Sequence, residues 1–345
     1  MKPSLRFASI ASIALAALVT ALPAAAQDKV LNLYSARHYN TDEALYNNFT
    51  KATGIKINRI EAGDEALLER LANEGANSPA DVVLLVDAAR LAKAQQAGLF
   101  QPVQSQLLNT RIPSRLRAPD GSWYAFSTRA RVIVYNKGTV KLEDADTYEE
   151  LAEPKNRGKV CTRSGSHPYQ LSLAASLIEH LGEAKTDEWA RGVVANMARP
   201  PRGGDTDQIM GVASGECGIA VTNTYYIARL MRSEKAEDKA AISKLGVAWP
   251  NQANRGTHVN ISGGAVAKSA KNRDAAVKFL EYLASDEAQV YFANGNNEWP
   301  VVKSAPVKNP ALEQMGDFKS DALPVAVLLK NAVAAQKVMD RAGYK

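Results

Sequence analysis

Strand-like and helix-like stretches alternate three times between Val30 and Gly98, a rhythm that leaves a chain little choice of architecture. Val30-Leu31-Asn32-Leu33-Tyr34, Ile55-Lys56-Ile57-Asn58-Arg59-Ile60 and Val82-Val83-Leu84-Leu85-Val86 read as strands; the last is apolar throughout, as a strand covered on both faces must be. Thr41 to Thr53, closed by Gly54, reads as an amphipathic helix, and Asp64 to Glu74 and Ala88 to Ala97, ended by Gly98, continue the series. Units of this kind predict an α/β fold, a mainly parallel sheet flanked by helices, with ligands at the carboxyl ends of its strands.

A second stretch bears on function. In Asn223-Thr224-Tyr225-Tyr226 two adjacent tyrosines stand where the apolar run Gly218-Ile219-Ala220-Val221 gives way to the helix-like Ile227-Ala228-Arg229-Leu230-Met231. Within a strand, neighbouring side chains point to opposite faces, but at a strand-to-helix junction both phenols can converge. If Asn223 or Thr224 caps the helix, the positive end of its dipole favours the phenolate form. A phenolate pair is chemistry for a hard trivalent metal such as Fe(III), whereas zinc or copper would call for clusters of His and Cys. Taken alone, such a pair is far more often two half-buried aromatics packing a helix start. The loop after the first strand, Ser35-Ala36-Arg37-His38-Tyr39-Asn40, carries a histidine and a third tyrosine to the ligand-binding end of the sheet, or else a solvated histidine and a tyrosine covering the helix start.

The first residues concern the compartment. Lys2 and Arg6 precede the apolar run Ile10 to Leu22, which ends in Pro23-Ala24-Ala25-Ala26, the pattern of a secretory signal peptide cleaved after Ala26. The run is too short to span a bilayer. The chain has 42 basic and 36 acidic residues, and loss of Lys2 and Arg6 leaves a net charge of +4, mild and distributed, with no basic block of the kind that marks nucleic-acid binding. The remaining chain of about 320 residues exceeds what one core usually serves, so two domains are expected. Cys161 and Cys217 stand at the edges of two predicted strands, Gly158 to Cys161 and Cys217 to Val221. In an exported chain they point to a disulfide, the alternative being two unpaired buried thiols. No Gly-rich phosphate loop, G-x-S-x-G elbow or H-E-x-x-H occurs.

The run Tyr34 to Asp42, with Ala52-Thr53-Gly54-Ile55, Pro79-Ala80-Asp81-Val82, Gly98-Leu99-Phe100 and above all Asn223-Thr224-Tyr225-Tyr226, resembles the periplasmic ferric-ion-binding proteins of bacterial ABC importers. The resemblance runs in order from about Val30 onward. It implies a two-lobed, hinged type II periplasmic binding protein fold holding one ferric ion in its cleft. Tyr225 and Tyr226 match the paired phenolate ligands and His38 the imidazole ligand; Tyr39 matches a further phenolate of one branch. That branch adds a tyrosine after a Ser/Gly-rich loop, here Tyr169 after Arg163-Ser164-Gly165-Ser166-His167-Pro168. The other branch uses a carboxylate after its third strand, nearest here to Asp87, which the tyrosine-rich assignment leaves out of the ligand set.

By the same resemblance the chain crosses between lobes at Arg129-Ala130-Arg131 and returns at Gly256 to Val266. Residues 27–130 and 257–300 then form the first lobe, and 131–256 and 301–345 the second. Arg131 is either a cleft-facing cation or a solvated strand-edge arginine, and Arg202 is either close to the metal or on a surface loop. His258 matches no ligand and reads as structural; residues Leu323 to Tyr344 read as a helical tail on the second lobe. The implied function is binding by lobe closure, without catalysis, by a monomer that delivers iron to an inner-membrane permease. A same-fold binder of an oxyanion or small organic solute, using Ser35 and the Ser164–Ser166 loop as donors, is the alternative; an exported hydrolase would need a nucleophile or carboxylate pair that the sequence does not present.

Overall fold

The computed structural model describes residues 29–37 and 42–345. The segment read as a signal peptide, His38 and Tyr39 lie outside them. The three predicted strand–helix pairs form with their order intact: β1 (Val30–Ser35) and helix Asp42–Thr53, β2 (Lys56–Glu61) and helix Asp64–Glu74, β3 (Val82–Val86) and helix Ala88–Gln96. All five residues of β3 are buried, as its unbroken apolar run requires. After the edge strand β4 (Phe100–Gln101) comes β5 (Tyr124–Asn136), then β6 (Val160–Cys161), β7 (Ile219–Asn223), β8 (Leu245–Ala248), β9 (Val259–Ala267) and β10 (Trp299–Pro300).

These strands join in the order β2-β1-β3-β9-β5-β7-β6, with β4 beside β9, and β8 and β10 beside β5. Pairing is parallel among β1, β2 and β3 and between β6 and β7, while β5 and β9 run antiparallel to their neighbours. The long strand β5 organises the molecule. Its residues Tyr124 to Ala130 pair with β9, and from Arg131 to Tyr135 it pairs with β7 instead. Side chains near this change of partner therefore draw on two separately built sheet regions. Gly263 and Gly264 lie in the middle of β9, where a Cβ at either position would stand 2.6 Å from Leu91 or Leu84, respectively. Side-chain-free positions are what let β9 pack this closely.

Cys161 and Cys217 form a disulfide, with Cα atoms 5.8 Å apart, which agrees with the reading of two thiols at neighbouring strand edges. The tail departs from a single helix. It divides into Val327–Lys330 and Ala332–Arg341 around Asn331, whose side-chain amide donates to Ala175 O (3.1 Å) and Glu179 (2.9 Å). Anchoring to helix Pro168–Leu181 takes the place of helical continuity there. The tail also touches helix Ala88–Gln96, so it packs on more than the expected second lobe. No helix among the described residues is long and apolar enough to cross a membrane.

Candidate metal centre

Strand β7 is buried along its whole length and helix Thr224–Met231 begins directly after it. Asn223 occupies the N-cap in extended conformation, but its side chain makes no capping bond. Its Oδ1 instead accepts from Arg131 Nη1 at 3.2 Å, so Asn223 holds the cap position without a side-chain cap bond. Tyr225 and Tyr226 fall in the first helical turn, with ring centroids 4.3 Å apart and planes inclined by 32°. The junction thus brings two adjacent side chains together, as a continued strand would not.

Tyr169 reaches the same place from another element. Pro168 opens helix Pro168–Leu181, and His167 Nδ1 accepts the Tyr169 N–H at 3.2 Å as its cap. The Tyr169 hydroxyl lies 3.1 Å from that of Tyr225, and both residues are buried. Burial pushes the Tyr169 pKa up to about 12, against the pull of the Arg129 charge. Burial also drives His167 down to about 3, reinforced by Arg163, Arg131 and Arg90, so its ring is neutral and free to accept.

Four guanidinium groups lie against the three phenol rings. Arg163 stands 5.1 Å and Arg131 5.8 Å from the Tyr169 ring centre, Arg129 5.8 Å from that of Tyr225, and Arg229 5.3 Å from that of Tyr226. Such cations stabilise a phenolate far more than a phenol. Asp205, fully buried, holds two of them: Arg131 Nη1 donates to it at 2.8 Å and Arg163 Nη1 at 3.3 Å, and the Asn223 N–H adds a third bond at 2.6 Å. Glu298, equally buried, accepts from Arg129 at 2.8 Å and Arg37 at 3.2 Å. Burial opposes the Arg163 charge, but Asp205 and then Tyr226 and Tyr169 raise its pKa above the ordinary value.

Of the residues singled out in the sequence, the structure brings together Tyr169, Tyr225, Tyr226 and Arg131. Arg131 is 2% exposed, so the solvated strand-edge reading does not hold. Arg202 goes elsewhere: its side chain is 67% exposed and pairs with Glu216 at 2.5 Å. The positions taken by Arg129, Arg163 and Arg229 were not anticipated. Two had a periodic signal, since Arg129 shares a strand face with Arg131, and Arg229 follows Tyr226 by three residues on one helix. Asp87 is committed to its neighbours, accepting from Ser172 Oγ and Asn260 Nδ2 at 2.7 Å each and from the Ala89 N–H at 2.8 Å. His258 is buried and its pKa is pushed down to about 3 by burial and by Arg131, which suits a structural role. Among the described residues no group of three or more His, Cys, Asp or Glu is placed to hold a metal. The donors that do converge are phenolic oxygens, which suit a hard trivalent cation.

Residues 44–322 match the family model for bacterial extracellular solute-binding proteins. Iron uptake protein A1 of a Synechocystis strain is 52% identical over 319 residues, covering 92% of this chain and 88% of that protein. Two solved structures superpose closely. One is the Trichodesmium protein IdiA (FutA) in complex with iron and citrate ligands, at TM-score 0.87 and 53% identity over 92% of this chain and all of the other. The second is a ferric binding protein from Campylobacter jejuni, at TM-score 0.87 and 42% identity over 91% and 100% of the two chains.

Proposed function

Because the chain belongs to the family of bacterial extracellular solute-binding proteins, we propose that it captures one ferric ion per molecule and passes it to an inner-membrane ABC permease. The observation that carries this reading is the meeting of the Tyr169 and Tyr225 hydroxyls at 3.1 Å, with the Tyr226 ring tilted against that of Tyr225 and an arginine against each of the three rings. An apolar core has no need of three phenols ringed by cations; a site that must hold phenolates beside a trivalent metal does. The ligand set is Tyr169, Tyr225 and Tyr226 together with His38 and Tyr39, which follow β1 in sequence. The iron-related names of the similar proteins support the cargo.

The protein works as a monomer in the periplasm, reached through the signal peptide cleaved near Ala26. The lobes comprise 27–130 with 257–300, and 131–256 with 301–345. The change of β5 from β9 to β7 between Ala130 and Arg131 supports the first of these boundaries. Ligands contributed by both lobes bind metal fully only in the closed form, and that difference in affinity is what drives closure. Nothing in this cycle is turned over. Metal analysis of the purified exported chain, before and after loading with Fe(III), tests the reading: it expects up to one iron per chain, accompanied by a visible phenolate-to-iron band. A colourless protein that takes up no iron but binds an oxyanion or organic solute would overturn it.

A further inference from the structure

The helix Ala332–Arg341 packs on Pro168–Leu181 and delivers Tyr344 to the loop that leads into the first turn of that helix, where Tyr169 sits. Tyr344 is 4% exposed. Its hydroxyl meets Thr162 Oγ1 at 2.5 Å and accepts from Gln170 Nε2 at 2.7 Å, so both partners flank the segment Arg163–Tyr169. The same segment is clasped from outside. Gly165 N donates to Lys345 O at 3.3 Å, and a Cβ on Gly165 would stand 2.1 Å from Tyr344 O. From Gln170 the contacts run on to the phenol site: Gln170 Oε1 accepts from Arg131 Nη2 at 2.5 Å, and Arg131 lies against the Tyr169 ring and bonds Asp205.

We propose that Tyr344 is a positioning residue for the metal centre, its hydroxyl fixing Gln170 and the Thr162–His167 loop so that Tyr169 meets Tyr225; this rests on the iron-binding reading above. The aromatic ring alone would fill the space. Burying a phenol hydroxyl is unfavourable unless it is bonded, and here one bond goes to Gln170, on the helix that presents Tyr169, and the other to Thr162, where the chain leaves β6 on its way to that helix. Without the hydroxyl, Gln170 Nε2 keeps only a 3.5 Å contact with Thr162, and its grip on Arg131 loosens. Arg131 then loses one of the partners that hold it against Tyr169.

The test is a double-mutant cycle between Tyr344→Phe and Tyr169→Phe, read by Fe(III) competition titration and the visible band of the full-length exported protein, with melting temperature followed in parallel. Tyr344→Phe preserves the ring and should weaken Fe(III) binding roughly tenfold and shift the band, with little change in melting temperature. In the Tyr169→Phe background the same change should cost nothing further, because the residue it positions is gone. Gly165→Ala should imitate Tyr344→Phe, since it drives the loop off Tyr344 O. Iron binding by Tyr344→Phe equal to wild type, or the same loss with and without the Tyr169 hydroxyl, would overturn the proposal. Failure of the wild-type protein itself to bind iron would instead overturn the functional reading, so the two failures are distinguishable.

Discussion

The hydroxyls of Tyr169 and Tyr225 lie 3.1 Å apart although 56 residues separate them in sequence. Each comes from the first turn of a helix, and each is buried beside an arginine. Burial raises the Tyr169 pKa to about 12, so in the metal-free protein this phenol keeps its proton at neutral pH. Metal binding must displace that proton. Loading with Fe(III) in weak buffer at neutral pH should therefore release protons beyond those from hydrolysis of the iron stock, and Tyr169→Phe should release fewer. As pH falls, protons compete for the same oxygens and iron affinity falls with it. Potentiometric loading of both proteins checks the sign, and equal proton release from the two would contradict it.

Asp87 gives a pH effect of the opposite kind. Burial raises its pKa from the ordinary 3.8 to about 6, opposed by the bonds from Ser172 and Ala89. The folded state therefore holds a proton between about pH 4 and about pH 6 that the unfolded chain has lost, and this contribution to stability declines as pH rises through that window. The full shift corresponds to about 3 kcal/mol. Asp87→Asn carries no titrating group, so relative to wild type it should gain stability between about pH 4 and about pH 7. Urea unfolding of both proteins at the two pH values measures the difference; a constant offset would contradict the assignment.

The Cys161–Cys217 bridge closes a loop with a sequence separation of 56. Chain-entropy reasoning assigns such a closure about 4 kcal/mol of stability. Thiol titration of the exported protein under denaturing, non-reducing conditions should find no free thiol, and Cys161→Ser/Cys217→Ser should lower stability by an amount of that order while leaving the phenol cluster able to bind iron. Two reactive thiols in the untreated protein would refute the pairing in solution.

In the proposed ligand set the four phenolates of Tyr39, Tyr169, Tyr225 and Tyr226 exceed the charge of Fe(III) by one, so an added anion would deepen a negative excess beside the buried Tyr169 and Tyr225. Three of the four surrounding cations are already engaged by carboxylates, Arg131 and Arg163 with Asp205 and Arg129 with Glu298, while Arg229 bonds the Thr206 hydroxyl. Loading of metal-free protein in buffer without carbonate or phosphate should restore the full visible band. A band that appears only after anion is added would mean that Tyr39 or Tyr169 is not a ligand.

Much of this was legible in local patterns. The alternation from Val30 to Gly98 carried the parallel pairing of β1 with β2 and β3, though not their order in the sheet, and the change from apolar strand to helix at Asn223 carried the convergence of Tyr225 and Tyr226. What escaped was set by contacts between distant segments. Asp205 and Glu298 decide which arginines turn inward, and nothing near Arg163 or Arg202 in sequence says that the first meets Asp205 and the second Glu216. Asn331 breaks the tail helix for the same reason, because its partners, Ala175 and Glu179, lie on another helix.

Whether phenolates of this cluster bind ferric iron is measured most directly by the visible spectrum during Fe(III) titration of metal-free wild type, Tyr225→Phe and Tyr226→Phe. Each variant keeps the ring and loses one oxygen. Wild type should develop a band that saturates at one iron per chain. Each variant should lose much of that band and bind at least about a hundredfold more weakly, roughly 3 kcal/mol, with its melting temperature in the metal-free state almost unchanged. Bands and affinities equal to wild type in both variants would contradict the account.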